Sequence, residues 1–203
     1  QWEIELKRFT HLKHIVCRGS KELQKAHKSF HKFDVVMTSY STLLSERTKS
    51  GCVYKYRWWR VVLDEAHLIR SRGTQKAKAC FALEADNRWT LTGTPIQNKL
   101  LDLYSLFKFL RVEPCNDFRW FNMAIVKPLA SNDQFSSDEA KALLQASIHP
   151  LLLRRLKTEV LPTYNDNIES NSTTQSNNKN SDDDMKHDGD DVDNQHSMQV
   201  STR

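Results

Sequence analysis

The sequence predicts an α/β fold in which a parallel sheet is covered by helices on both faces. Two observations predict it. Short apolar runs rich in β-branched residues alternate with helical patterns along the first 160 residues, and those runs are continuously apolar instead of alternating with polar residues. Strands of that kind are expected to be buried on both faces, as in parallel sheets.

The strands and helices are predicted in the following order along the chain. Four strands are expected at 14–17, 34–38, 60–64 and 88–92. Helical patterns are found at 20–30, 40–47, 74–85, 98–110, 118–125 and 137–147, with a loop from Pro128 to Ser136. Strands that alternate with helices in this way favour crossover connections, which place the strands parallel to one another.

The last 43 residues differ from the rest of the chain. Only seven of them are apolar, and nine acidic residues face three basic ones. Such a segment buries too little apolar surface to offset its ordering entropy, so we predict a disordered acidic tail at 163–203 after a domain at 1–162. The tail could be an interaction segment or a plain extension.

The charge of the remaining part is strongly basic. Residues 1–160 carry 27 basic against 16 acidic side chains, although the whole chain has a formal net charge of only +5. A basic domain indicates a polyanionic partner and favours nucleic acid, while a basic surface that serves solubility alone is the other interpretation.

Several classes of protein are excluded by the composition. No apolar run is long enough for a membrane helix, and the first residues do not resemble a signal peptide. The cysteines form no C-x-x-C pair, which argues against a zinc ribbon, a RING finger or a redox dithiol here and suits a reducing compartment; they are Cys17, Cys52, Cys80 and Cys115. Because the chain starts with Gln1, we expect it to begin within a longer polypeptide.

The strongest motif is Asp64-Glu65-Ala66-His67, which directly follows the third predicted strand. Ligands of open parallel sheets bind beyond the carboxyl ends of the strands. An apolar strand that ends in two carboxylates is typical of a Walker B site, where the first holds Mg²⁺ through water and the second orients or deprotonates the attacking water. The alternative is structural, with Asp64 capping a following helix.

A second motif, Thr92-Gly93-Thr94, follows the fourth predicted strand. The glycine is expected to permit a tight turn, and the two hydroxyls can bond to neighbouring loops. The alternative is an ordinary turn. The position of the motif, one strand–helix–strand unit after the carboxylates, favours the functional interpretation.

Together these segments resemble motifs II and III of superfamily two helicase-type ATPases. The form Leu91–Asn98, followed by 102–110, resembles the SWI/SNF branch, and Gln1-Trp2, 34–40 and 152–162 resemble further motifs of that family in the correct order. Trp58-Trp59-Arg60 and Arg88-Trp89 resemble the repair-associated subgroup that often carries a RING finger. The resemblance covers residues 1–162.

The resemblance implies part of a RecA-like lobe that hydrolyses ATP to move along double-stranded DNA. Asp64 would coordinate Mg²⁺ and Glu65 would activate water. His67 would bridge toward Thr92-Gly93-Thr94, which we call the threonine turn. The residues implied in binding ATP are Asp64, Thr92, Gly93, Thr94 and Gln97.

The resemblance also implies partners and a location. The implied partners are double-stranded DNA, chromatin or DNA-bound proteins, and the second lobe of a longer chain, all in the nucleus. The implied DNA contacts are Trp2, Thr38, Ser39, Tyr40, Arg154 and Arg155. The alternatives are a core position for Trp2, a helix-facing aromatic for Tyr40, and an interlobe contact or a solvated basic face for the arginines.

This sequence departs from the family pattern in two ways. No G-x-x-x-x-G-K-[ST] phosphate-binding loop can be written with its five glycines, and a polar tract stands where a second lobe would follow. We therefore expect a partial first lobe that does not turn over ATP by itself. The competing hypothesis is a non-enzymatic, degenerate lobe that binds DNA or chromatin, while a ubiquitin ligase is disfavoured by the cysteine spacing.

Overall fold

The computed structural model describes residues 1–48, 51–97 and 99–154, and the backbone of 197–201. The chain divides into two compact units, residues 1–144 with 194–203, and residues 145–193. The first unit contains the sheet and both motifs. Among the described residues, no helix is long and apolar enough to cross a membrane.

The first unit is built on a five-stranded sheet with the order β1-β2-β5-β3-β4. The strands are β1 (His14–Cys17), β2 (Val35–Ser39), β3 (Arg57–Leu63), β4 (Glu84–Thr90) and β5 (Ser197–Ser201). The first two pair in parallel, as do β3 and β4, whereas β5 runs antiparallel between β2 and β3. The predicted α/β fold with parallel strands is confirmed, with one antiparallel strand added.

The added strand differs from the predicted disorder of the tail. In the register, Val200 lies between Val36 and Val61, and Met198 lies between Thr38 and Leu63. This segment holds two of the tail's few apolar residues in alternation, a pattern that suits a paired strand. Pairing on both sides also gives its backbone N–H and C=O groups partners. The other tail residues predicted to be disordered lie outside the described part of the chain.

Helices precede, connect and follow strands β1 to β4 along the chain. They are α1 (Trp2–Phe9), α2 (Ser20–Ala26), α3 (Tyr40–Thr48), α4 (Gln75–Phe81), α5 (Leu101–Leu110), α6 (Phe118–Phe121), α7 (Lys127–Leu129) and α8 (Gln134–Ile148). Two of them begin at a side-chain cap, since Thr74 Oγ1 accepts from Ala77 N at 3.2 Å and Asp117 Oδ1 accepts from Trp120 N at 2.7 Å. Such caps satisfy N–H groups that the helix itself leaves without a partner.

Some boundaries differ from the sequence-based prediction. Helix α1 was not predicted, β3 and β4 begin earlier than their apolar runs, and α7 and the start of α8 occupy part of the predicted loop at 128–136. A π-helical turn at Asn122–Val126 joins α6 to α7.

The core holds the start of β3, the strand that leads into the carboxylate motif. Trp58 is 1% exposed and lies 5.6 Å from the ring centres of both Phe30 and Tyr56. Aromatic pairs of this kind contribute about 0.5–1.5 kcal/mol beyond the area that they bury. Further along the strand, Val61 and Leu63 are fully buried, so the strand end is held in a packed environment.

Candidate functional site

The carboxylate motif and the threonine turn are brought together by backbone hydrogen bonds beyond the ends of β3 and β4. Leu91 N donates to Leu63 O at 2.8 Å, and Ala66 N donates to Leu91 O at 2.9 Å. The ladder between the two strands therefore continues into the loops. It holds the turn that contains Asp64 and Glu65 beside the start of the threonine turn, at the edge where ligands of parallel sheets bind.

Asp64 is bound by two helices that are distant from it in sequence. Its Oδ2 accepts from Trp2 Nε1 of α1 at 2.6 Å, and its Oδ1 accepts from Glu65 N at 2.9 Å. Its carbonyl oxygen accepts from the hydroxyl of Tyr40, the first residue of α3, at 2.7 Å. Both the carboxylate and the backbone of Asp64 are therefore fixed.

The structure does not support the capping alternative for Asp64. A 3₁₀ helix begins at Ala66, and its N-cap position is occupied by Glu65 without a side-chain capping bond. The Asp64 carboxylate is directed to Trp2 and to the adjacent Glu65 N–H instead. Its position is thus not explained by satisfying the start of that helix.

Glu65 has a left-handed backbone, with φ 48° and ψ 49°. For a residue with a Cβ this conformation costs about 1–3 kcal/mol and is concentrated at functional sites. The Glu65 side chain is 46% exposed, and its Oε2 lies 3.1 Å from Nδ1 of His67. The two neighbouring carboxylates thus differ, because Asp64 is held by α1 and α3 while Glu65 reaches solvent.

The threonine turn is organised by its own side chains. Thr92 Oγ1 accepts from Thr94 N at 3.2 Å, and Gln97 Nε2 donates to Thr94 Oγ1 at 2.9 Å. Gln97 N also donates to Asp102 Oδ2 at 3.3 Å, which ties the turn to the first residues of α5. The predicted bridge from His67 to this turn remains a prediction.

The expected conformational role of Gly93 is wrong. No described glycine has a positive φ, and a Cβ built at Gly93 would meet no atom within 4 Å. The turn therefore does not require glycine for its backbone, because hydrogen bonds of Thr92, Thr94 and Gln97 shape it.

The predicted DNA contacts of β2 and α3 present few free hydroxyls. Thr38 is 4% exposed and its hydroxyl donates to Cys17 O at 2.9 Å, while the Tyr40 hydroxyl donates to the Asp64 carbonyl oxygen. Ser39 Oγ accepts from Thr42 N at 3.2 Å and lies 2.9 Å from the hydroxyl of Ser41, which is exposed. At this surface, a phosphate would therefore meet serine hydroxyls and not those of Thr38 or Tyr40.

Burial controls the ionisation of Tyr40. Desolvation raises the pKa of its hydroxyl well above the ordinary range, and the nearby Cys80, Asp64 and Glu65 raise this pKa further. The hydroxyl therefore stays protonated at neutral pH and remains a donor to the Asp64 carbonyl.

Trp2 and Arg154, two other predicted DNA contacts, differ in their surroundings. Trp2 is not a core residue, since no residue of α1 is buried, but its indole N–H is bound to Asp64. Arg154 is exposed and belongs to the second unit, and Arg155 lies outside the described residues. The contact between Trp2 and Asp64 has no sequence signal, because the two residues are 62 positions apart.

The donor set at this strand end fits a magnesium ion that is shared with a nucleotide. Mg²⁺ prefers oxygen ligands and is usually held by one or two carboxylates together with water and substrate phosphates. Asp64 and Glu65 supply two carboxylates, and the described residues contain no group of three or more His, Cys, Asp or Glu that could hold a metal. Two carboxylates would supply part of a coordination shell, which water and phosphate oxygens would complete.

Comparisons with known proteins give a consistent result. A family described as the SNF2-related domain matches residues 1–180. The chain is 45% identical over 130 residues to DNA repair protein RAD5A of Arabidopsis thaliana, covering 62% of this chain and 12% of that protein. It is 42% identical over 165 residues to RAD5B of the same plant, covering 77% and 12%. DNA repair protein rad8 of Schizosaccharomyces pombe is 43% identical over 126 residues, with 61% and 11% covered.

Solved structures resemble this fold as well. The Sulfolobus solfataricus SWI2/SNF2 ATPase core in complex with dsDNA has a TM-score of 0.57 and 32% identity, covering 76% of this chain and 31% of that chain. The SWI2/SNF2 ATPase core domain of the same organism has a TM-score of 0.59 and 31% identity, covering 77% and 30%. The chain thus spans about a third of these cores and roughly a tenth of the curated relatives' length.

Proposed function

The chain belongs to the family of SNF2-related domains, and from this premise we propose that it serves ATP hydrolysis by a translocase on double-stranded DNA. A role in DNA repair is supported by the relatives at 42–45% identity, whose names describe DNA repair proteins. A role in remodelling chromatin or displacing DNA-bound proteins is the broader form of the proposal, with the nucleus as its location.

The observation that carries this proposal is the pair of carboxylates held beside the threonine turn by the bond from Ala66 N to Leu91 O. Asp64, fixed by Trp2 and Tyr40, would hold Mg²⁺ through water. A bound Mg²⁺ supplies charge neutralisation on the nucleotide phosphates. Glu65, which reaches solvent, would orient a water molecule and accept its proton, and Thr92, Gly93, Thr94 and Gln97 would contact the nucleotide side of the site.

Duplex DNA would bind through phosphate contacts without reading the base sequence. Residues 1–160 carry an excess of 11 positive charges, which supports a polyanionic partner. The hydroxyls of Ser39, the last residue of β2, and Ser41, in the first turn of α3, lie 2.9 Å apart and are candidate contacts for the phosphate backbone of DNA. Arg154 and Arg155 are further candidate phosphate contacts, and a second lobe is a further candidate partner.

The sequence of 203 residues contains no phosphate-binding loop. We therefore expect no appreciable ATP turnover by this chain alone, and DNA-stimulated turnover by a longer polypeptide that includes such a loop and a second lobe. The test measures phosphate release by both proteins, with and without duplex DNA. Turnover by the 203-residue chain alone would overturn the expectation.

The role of Glu65 is tested in the longer polypeptide. Replacement of Glu65 by Gln removes the proton acceptor but keeps the shape of the side chain. If Glu65 is the general base, the change lowers turnover by roughly 10²–10⁴ and preserves ATP binding. Unchanged turnover would show that another group activates the water.

A second candidate function is a non-enzymatic lobe that binds DNA or chromatin. It is supported by the basic charge of residues 1–160. Such a module would bind duplex DNA with a strong dependence on salt and with no effect of nucleotide. DNA binding that responds to ATP in the longer polypeptide would exclude it.

A further inference from the structure

The role of Trp2 follows from the partner of its indole nitrogen. Trp2 Nε1 donates to Asp64 Oδ2 at 2.6 Å. The indole has a single donor and no acceptor, so this bond uses its entire hydrogen-bonding capacity. The ring therefore serves the carboxylate and has no polar group left for a phosphate.

The bond constrains the orientation of the Asp64 carboxylate. Oδ1 is held by Glu65 N at 2.9 Å and Oδ2 by Trp2 Nε1, so rotation of the carboxylate would break both bonds. Each oxygen retains a further lone pair that a cation or its water can use. Removal of the indole N–H would leave Oδ2 without this bond, while Oδ1 would still be held by Glu65 N.

The charges around Trp2 favour a cation over a DNA backbone. The first turn of α1 carries Glu3 and Glu5, and Asp64 and Glu65 lie at the strand end that Trp2 contacts. Glu3 is paired with Lys7 at 2.8 Å, so its charge is compensated within the helix. The Asp64 carboxylate, which the indole contacts directly, would repel a phosphate group at the same place.

We propose that Trp2 is a positioning residue, which orients the Asp64 carboxylate for a divalent cation, and that it is not a DNA contact. This inference rests on the proposed cation site at Asp64. Groups that hold a metal ligand in place are worth about 10–100-fold in metal affinity, although they do not touch the metal.

The test measures Mn²⁺ binding to the 203-residue chain by electron paramagnetic resonance, and binding of a labelled duplex by fluorescence anisotropy. The Trp2→Phe variant keeps an aromatic ring but loses the N–H donor. We expect it to bind Mn²⁺ about tenfold more weakly and to bind the duplex as the wild type does. A split of this kind would not arise from a merely structural role, because loss of structure would weaken both.

The matched control is Trp59→Phe, which removes an indole that is 48% exposed on β3. Trp59 lies five residues before Asp64, about 16 Å along a strand, and its loss should change neither affinity. Mn²⁺ binding unchanged in Trp2→Phe, or weaker duplex binding in that variant, would overturn the inference.

The Asp64→Asn variant separates failure of the inference from failure of the proposed site. If Asp64→Asn loses Mn²⁺ binding and Trp2→Phe retains it, Trp2 is not a positioning residue and the cation site stands. If Asp64→Asn binds Mn²⁺ as well as the wild type does, the proposed cation site fails, and the inference fails with it.

Discussion

The hydroxyl of Tyr40 offers a test in which stability and function can be separated. It donates to the Asp64 carbonyl at 2.7 Å, and Tyr40 is 3% exposed. The chain contains a matched bond elsewhere, since the Tyr56 hydroxyl donates to His27 O, also at 2.7 Å. Both bonds join a tyrosine to a part-buried backbone carbonyl, but only the first lies at the candidate cation site.

The expected loss of stability is the same for the two Tyr→Phe variants. Each removes one neutral hydrogen bond and leaves both aromatic rings in place. Such a bond contributes about 0.5–1.5 kcal/mol to the free energy of unfolding, which corresponds to a change in melting temperature of about 2–4 °C for each 1 kcal/mol in a chain of this length. Urea denaturation followed by circular dichroism measures this change.

The expected effects on the site differ. Tyr40→Phe releases the Asp64 backbone and is expected to weaken Mn²⁺ binding by about tenfold, whereas Tyr56→Phe leaves it unchanged. Both affinities are measured by electron paramagnetic resonance at a temperature where each variant is folded. Equal Mn²⁺ affinities for the two variants would refute the assignment of Tyr40 to the site.

Two further predictions concern the stability of the first unit. A Cβ at Gly51 would clash with the buried Glu46 side chain, so Gly51→Ala is expected to lower the unfolding free energy by about 1–3 kcal/mol. Gly73→Ala serves as the control, because no atom lies within 4 Å of a Cβ built there. Equal urea midpoints for the two variants would contradict the packing at Gly51. Burial raises the pKa of the Cys17 thiol to about 11 and that of Cys80 to about 12, from 9.0. The unfolded state releases these protons at lower pH than the folded state does, so the contribution of the two thiols to stability is present below pH 9 and lost as the pH rises toward 11 and 12. The test compares urea midpoints from pH 8 to 11 with those of variants that lack the two cysteines, which removes the effect of other titrating groups. The same pH dependence with and without the cysteines would contradict the prediction.

Much of the fold and the family follow from local sequence patterns. The short apolar runs mark most of β1 and β2 but only the last residues of β3 and β4. The motif-based resemblance is confirmed by the family match over residues 1–180. The starts of β3 and β4 are not recognisable in the same way, because Arg57 and Glu84 are charged and exposed. Their place in the sheet depends on pairing with the neighbouring strand.

The geometry of the candidate site depends on contacts that no local pattern encodes. Residue type predicts that Asp64 and Glu65 can bind a cation, but it does not indicate that Glu65 adopts a left-handed backbone, which non-glycine residues disfavour. The bond from Trp2 to Asp64 spans 62 residues and that from Tyr40 spans 24, so both depend on how α1 and α3 pack around the sheet. Neither could be derived before the strand order was known.

The different constraints on the two carboxylates give a physical reason for a division of labour. A residue that holds a cation benefits from a fixed orientation, which Asp64 receives from donors on both oxygens and on its carbonyl. A residue that accepts a proton from water needs access to solvent and some freedom to follow the reacting atom, and the Glu65 side chain is 46% exposed with His67 beside it. The left-handed backbone at Glu65 directs these adjacent side chains into their separate surroundings. The double change Asp64→Glu with Glu65→Asp should therefore weaken Mn²⁺ binding although it conserves the charge, and an affinity equal to that of the wild type would contradict this division.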